Sequence, residues 1–272
     1  MRLPLLPALL LFALPAAAQE RIPSHCFAVA QGPAQGPETI MRAGFGDALD
    51  ADHVRIHYID HASFAIETPK GTRAVTDYTG FTGTRDWVPD VVTMNNAHGT
   101  HWTARPDPRI PHVLEGWADA AGPRIHELDL GEMLVRNVPT DVRSRFGDGA
   151  RANGNSIFIF EAAGLCIGHL GHLHHVPDDA QFASIGRLDV VMVPVDGGYT
   201  MAVSEMAEVV KRLRSSVVIP MHWFSGASLQ VFLKDMEGEF QVVETGLNEL
   251  ELSLRDLPGR PTILVLEPAL ID

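Results

Sequence analysis

The chain has 272 residues, a formal net charge of −13 and 46% hydrophobic residues, enough apolar material for one large domain or a pair of fused halves. The acidic balance argues against nucleic acid and anionic membrane surfaces as partners. With only two cysteines, Cys26 and Cys166, no Cys-rich zinc module can form, so any metal must be held by histidines and carboxylates.

Met1-Arg2 is a short cationic start, residues 3–14 are apolar and Ala16-Ala17-Ala18 is a small-residue cleavage site. That pattern reads as a signal peptide over 1–18, its apolar core too short for a membrane span. The mature chain is therefore expected to be exported, to a periplasm or the medium, with no membrane association after cleavage. There the two cysteines could pair; alternatively Cys166, in the apolar run 164–168, is simple core filling.

Residues 19–52 read as an N-terminal arm with a short helix near Glu38–Ala43, and 53–272 as the folded domain. Val54, Ile56 and Tyr58 alternate on one face and Phe64 and Ile66 continue the pattern, followed by a turn at Pro69-Lys70-Gly71 and a strand ending at Asp77. These describe one edge of an antiparallel sheet. Residues 91–94 are a buried strand emptying into a loop that holds Asn96, His98, Thr100 and His101. A helix is expected around 112–120, a hairpin around Gly131, and a loop over the site at 139–153. Strands follow at 156–161 and 165–170, then a capped helix at 178–185. Beyond it come a strand at 189–194, a helix at 204–214, a strand at 217–220 and a helix at 229–236. Strands near 241–244, 250–254 and 262–266 close the chain. Strands dominate the first part and strand–helix alternation the second, which fits two sheets packed face to face with helices outside.

Histidines gather at strand ends. His169, His172, His174 and His175 follow the 165–170 strand, His222 follows 217–220, and Asp196 ends the 189–194 strand. Several strand ends each delivering His or Asp describe a metal site on a sheet edge.

The chain resembles the metallo-β-lactamase superfamily, in its lactonase-like branch of metal-dependent hydrolases. The residues that carry the resemblance are Tyr58-Ile59-Asp60-His61-Ala62-Ser63-Phe64, Val75-Thr76-Asp77-Tyr78, the 96–101 loop, His169-Leu170-Gly171-His172, Val193 to Thr200, and Ile219-Pro220-Met221-His222. The resemblance implies an α/β fold, a four-layer αβ/βα sandwich, with metal at the sheet edges. The family loop reads His-x-His-x-Asp-His; here Asn96 and Thr100 replace its first His and its Asp. The family's bridging Asp falls at His172, and its remaining His falls in 139–142, where only Asp141 could serve. A neutral imidazole has one lone pair and cannot bridge two metals. The ligand set expected is therefore His98, His101, His172 and His222, holding one zinc ion rather than two, with another transition metal as the alternative. His98 and His172 are the candidates for proton handling.

Around them stand further candidates. Asp77 either orients the loop histidines or caps a turn. His169 is either a core imidazole or a cleft residue, and His61 either lines the cleft or orients ligands. Asp196 either closes a glycine turn or faces the cleft. The function expected is hydrolysis of a small ester, lactone or phosphodiester by metal-activated water. The alternative is a catalytically silent binder that kept the fold.

Overall fold

The computed structural model describes residues 24–27, 44–144, 149–224 and 226–272. The expected signal peptide and the helix near Glu38–Ala43 lie outside them. Among the described residues the first strands are β1 (Val54–Asp60), β2 (Ser63–Glu67), β3 (Arg73–Val75), β4 (Val91–Met94) and β5 (His112–Glu115). The chain continues through β6 (Glu127–Asp129), β7 (Met133–Arg143), β8 (Ala150–Ala162), β9 (Leu165–His169), α1 (Asp179–Ile185) and β10 (Val190–Pro194). It ends with α2 (Val203–Leu213), β11 (Val217–Met221), α3 (Ala227–Asp235), β12 (Gln241–Glu244), β13 (Glu249–Leu252) and β14 (Thr262–Val265).

Two sheets result, one of six strands in the order β13-β1-β2-β3-β4-β5 and one of eight in the order β12-β14-β11-β10-β9-β8-β7-β6. Strand alternation explains how they pack. Val190 and Met192 of β10, with Phe158 and Phe160 of β8, meet Ile56, Phe64 and Ile66 between the sheets. The intervening Val191, Val193, Ile157 and Ile159 face α2 and α3 instead, against Met206, Val210 and Phe232. A strand buried on both faces needs no polar positions, which is why β10 and β11 read as unbroken apolar runs. Over the outer face of the first sheet, Phe45, Tyr78, Ile110 and Ile271 pack on Val75, Val92 and Met94. That covering is built from loops and the C-terminal tail. The α/β sandwich of two face-to-face sheets is the fold the resemblance implied.

Three local readings change, and the open question of the cysteines is decided. Residues 112–115 form a strand rather than a helix, because β4 offers an open edge with which Val113 and Leu114 pair in parallel; tertiary context outranks local propensity here. The expected loop 139–153 is mostly a β-ribbon, with Thr140 opposite Asn155 and Arg143 opposite Ala150. β1 is an interior strand, since β13 pairs along its other side. Cys26 and Cys166 form a disulfide, tying the segment 24–27 to β9. Ser24 and the His25 N–H both bond Glu161, at 2.5 and 3.0 Å, which reinforces the attachment. No helix among the described residues is long and apolar enough to cross a membrane.

Candidate metal centre

The C-terminal ends of β1, β3, β4, β9, β10 and β11 open on one edge of the sandwich, and the site residues lie in the turns that follow. Parallel strands put such ends side by side, so residues distant in sequence converge there. Three of the turns hold non-glycine residues in the left-handed region: His61 (φ 48°), Asp77 (φ 43°) and His222 (φ 59°). Such backbone costs on the order of 1–3 kcal/mol per residue and persists where surrounding bonds enforce it. The His61 carbonyl accepts from the His222 N–H at 2.8 Å and from the Tyr58 hydroxyl at 2.7 Å. Those bonds hold the β1–β2 turn against the end of β11.

His101, Asp77 and Asn95 form the buried floor. The Asn95 N–H donates to Asp77 Oδ1 at 3.0 Å, and Asp77 Oδ2 lies 2.7 Å from His101 Nδ1. The carboxylate therefore takes the Nδ1 proton and turns the Nε2 lone pair outward, as ligating histidines are commonly held. His101 Nε2 stands 3.2 Å from His222 Nε2. On the far side of that ring, His222 Nδ1 is 2.9 Å from Asp196 Oδ2, a close polar contact off line for a hydrogen bond. Asp196 does both jobs open to it: Oδ1 accepts from the Gly198, Tyr199 and Thr200 N–H groups, while Oδ2 meets His222 and the Thr200 hydroxyl.

The rings of His101, His172 and His222 have centroids 4.6, 5.1 and 5.3 Å apart. Their ligand atoms fall into two overlapping groups that share His101. Those of His61, His101 and His222 lie within 4.8 Å of one another, as do those of His98, His101 and His172. His98 is exposed and His172 buried. His172 Nδ1 is 2.6 Å from His174 Nε2, and the Arg143 N–H donates to His174 Nδ1 at 3.0 Å.

The other candidates are placed as follows. His169 is fully buried in the core: its Nε2 meets the Ala62 carbonyl at 2.7 Å, and its Nδ1 accepts from the Gly171 N–H at 3.1 Å. It joins β9 to the turn that carries His61 and is not directed at the cleft. Asp141 is exposed and accepts from the Asn153 N–H at 2.8 Å, so it does not reach the site; a register shift between Thr140 and Val142 accompanies this placement. Asn96 is buried, with its Oδ1 3.1 Å from Arg151 Nη2. Thr100 is exposed, 3.5 Å from His98 Nδ1. Residues without a sequence signal also shape the site. Asn155 accepts from the His172 N–H at 2.8 Å, and Arg143 Nη2 binds the carbonyls of Gly198, Tyr199 and Thr200. A cleft of about 770 Å³ opens above, lined among others by Asn96, His98, Arg143, Arg151, His172 and Tyr199.

Burial and mutual repulsion keep the imidazoles of His61, His101, His172 and His174 uncharged. His61 is pushed down to about 3 by burial and by His222 and His101, and His174 to about 4 by burial and Arg143. His101 and His172 lie well below the ordinary histidine value for the same two reasons. Burial raises Asp77 to about 6 against the opposing pull of His169 and the Asn95 N–H. Burial alone would raise Asp196 too, yet His222, Thr200 and the turn N–H groups outweigh it and hold that carboxyl far below its usual value. A neutral imidazole is the protonation state a transition metal requires of a histidine ligand.

The donor set fits such a metal. Two nitrogens on one tetrahedral zinc, each at roughly 2.0–2.1 Å, stand about 3.3 Å apart, close to the 3.2 Å between His101 and His222. His61 Nε2 is buried and has no hydrogen-bond partner, an orphan of the kind an ion would satisfy.

A two-sheet α/β sandwich with a histidine cleft at its strand ends is the architecture of the metallo-β-lactamase fold, here with loops rather than helices over the first sheet among the described residues. Residues 55–222 match the family described as the Beta-lactamase superfamily domain, and the chain belongs to it. A UPF0173 metal-dependent hydrolase of Pyrococcus abyssi is 28% identical over 193 residues, 62% of this chain and 84% of that protein. A UPF0173 protein of Pyrococcus furiosus is 24% identical over 196 residues, 68% of this chain and 91% of its own length. A Thermotoga maritima structure, described as a candidate Zn-dependent hydrolase of the metallo-β-lactamase superfamily, aligns with a TM-score of 0.56 at 30% identity, covering 79% of this chain and 98% of that one.

Proposed function

We propose that this protein is an exported hydrolase that uses a single transition-metal ion, zinc by preference, to cleave a small ester, lactone or phosphodiester. The observation that carries the reading is the 3.2 Å approach of His101 Nε2 to His222 Nε2, with a carboxylate beside each Nδ1. That spacing is a hydrogen bond when one ring carries its proton on Nε2, and it equally matches two imidazoles sharing one tetrahedral cation. Relatives described as metal-dependent hydrolases support the same reading.

His101 and His222 would hold the metal. When bound it supplies Lewis acidity toward a carbonyl or phosphoryl oxygen and acidifies a bound water. One ion is preferred because His101 keeps a single outward lone pair once Asp77 occupies its Nδ1. The open side belongs to the protein's own donors. His98 and His172 line the cleft and are placed to pass protons to a substrate. The exposed rings of Tyr199 and Phe224, 5.6 Å apart, form an apolar wall where Phe224 approaches His222 at 5.3 Å. A small molecule suits a cleft of about 770 Å³. The net charge of −13 weighs against nucleic acid. Export is supported by the leader pattern and by the Cys26–Cys166 disulfide, since such bonds persist in oxidising compartments.

The test is turnover of generic esters, lactones and phosphodiesters before and after chelation. The reading expects hydrolysis of at least one class, lost with the chelator and restored by Zn²⁺. Tight metal binding without turnover of any of them would favour the silent binder that Asn96 and Thr100 suggest.

A further inference from the structure

We propose that His61, rather than His172, is the third metal ligand beside His101 and His222, so that the ion sits between the β1–β2 turn and the end of β11. This rests on the metal reading above and assigns its ligands.

His101 offers one outward lone pair, so it can serve only one of the two histidine groups that share it. The group containing His61 has the better claim. His61 Nε2 is buried with no hydrogen-bond partner, its ring lies 4.0 Å from that of His222, and its carbonyl accepts the His222 N–H. The two residues are positioned by each other's backbone, both in the left-handed region. A strained turn holding an unpartnered imidazole against a second imidazole is arranged for a shared ligand.

His172 is arranged differently. The Arg143 N–H is a fixed donor to His174 Nδ1, so neutral His174 carries its proton on Nε2 and gives it to His172 Nδ1. Neutral His172 then carries its own proton on Nε2 and has no lone pair left for a metal. Where the family places a bridging carboxylate, this chain presents an N–H donor. Thr100, exposed and a poor ligand, leaves a coordination position that His61 fills from the β1–β2 turn at the same edge of the same sheet.

The test measures Zn²⁺ affinity by competition with a chromophoric chelator, and the visible spectrum of the Co²⁺-loaded protein, in wild type, His61→Ala, His61→Cys and His172→Ala. Loss of a ligand is expected to weaken Zn²⁺ binding by more than about 100-fold in His61→Ala, whereas His172→Ala should stay within about tenfold. His61→Cys should keep the ion and add a near-ultraviolet thiolate-to-cobalt band. That band reports coordination directly and stands even if the alanine variant fails to fold. Unchanged affinity in His61→Ala, loss of the ion in His172→Ala, or no thiolate band in Co²⁺-loaded His61→Cys would overturn the assignment alone. A wild-type protein that binds neither Zn²⁺ nor Co²⁺ would overturn the metal reading beneath it.

Discussion

Asp77 sets the behaviour of the centre through one contact, its 2.7 Å approach to His101 Nδ1. Asp77→Asn keeps the shape but can offer an N–H where an acceptor is needed, freeing His101 to turn or change tautomer. Metal affinity should fall about 10–100-fold, read by the same chelator competition, with little change in global secondary structure. Gly171 is a second residue-scale constraint. At φ 59° an added Cβ would lie 2.4 Å from Asn95 Nδ2 and 2.6 Å from Asn155 Oδ1. The Asn95 amide donates to the Ser156 carbonyl and lies against His169 Nδ1, and the Asn155 amide oxygen accepts the His172 N–H. Gly171→Ala should cost roughly 1–3 kcal/mol of stability in chemical denaturation. His169 teaches the opposite lesson about histidines: it is as buried as His101, yet both nitrogens are taken by the protein itself. Strand alternation left its role open, and only the position of the Ala62 carbonyl decides it.

At the scale of elements, the disulfide and the β7–β8 ribbon brace the two sides of the cleft. Cys26 and Cys166 are separated by 140 residues. Closing so long a loop stabilises by about 2–5 kcal/mol in the chain-entropy account. Cys26→Ser with Cys166→Ser should therefore lower Tm by roughly 5–15 °C, measured by calorimetry of the metal-free protein; an unchanged Tm would contradict that account. The strands were legible because β-branched apolar runs bounded by turns admit few other readings, and β9, β10, β11 and the apolar half of β8 lie where that pattern put them. The ribbon was not. Beyond Thr140 it includes exposed polar residues such as Asp141, Arg143 and Arg151, so a Gly- and Arg-rich stretch reads as a loop although its main chain is paired. β5 was hidden for a different reason, since its strand character comes from the open edge of β4 and not from its own residues.

For the whole molecule, convergence of the histidine loops was legible, while the partition of ligands was not. His98, His101, His172 and His222 follow strands whose ends the parallel sheets bring together. The pairing of His61 with His222 instead depends on a backbone bond between the two sheets. The same clustering makes the metal-free fold acid-sensitive. An unfolded histidine binds its proton near pH 6.5, whereas native His61 stays neutral down to about 3, and His101, His172 and His174 are shifted the same way. Below pH 6.5 the unfolded state thus binds more protons, and stability is lost as pH falls toward 3. Asp77, raised to about 6, opposes this between 6 and 3.8, and Asp189, also raised by burial, acts in the same sense, but the lowered histidines, His169 among them, outnumber these carboxyls. Urea midpoints of metal-free protein should fall steadily from pH 7 to pH 4, and a flat profile would contradict the burial of neutral imidazoles.

Metal content per chain, determined by elemental analysis of gently purified wild type and of His101→Ala, tests the central claim most directly. The prediction is one zinc-class ion per wild-type chain, removable by chelation, and none in His101→Ala. Two ions per chain, no ion in the wild type, or full occupancy without His101 would contradict it.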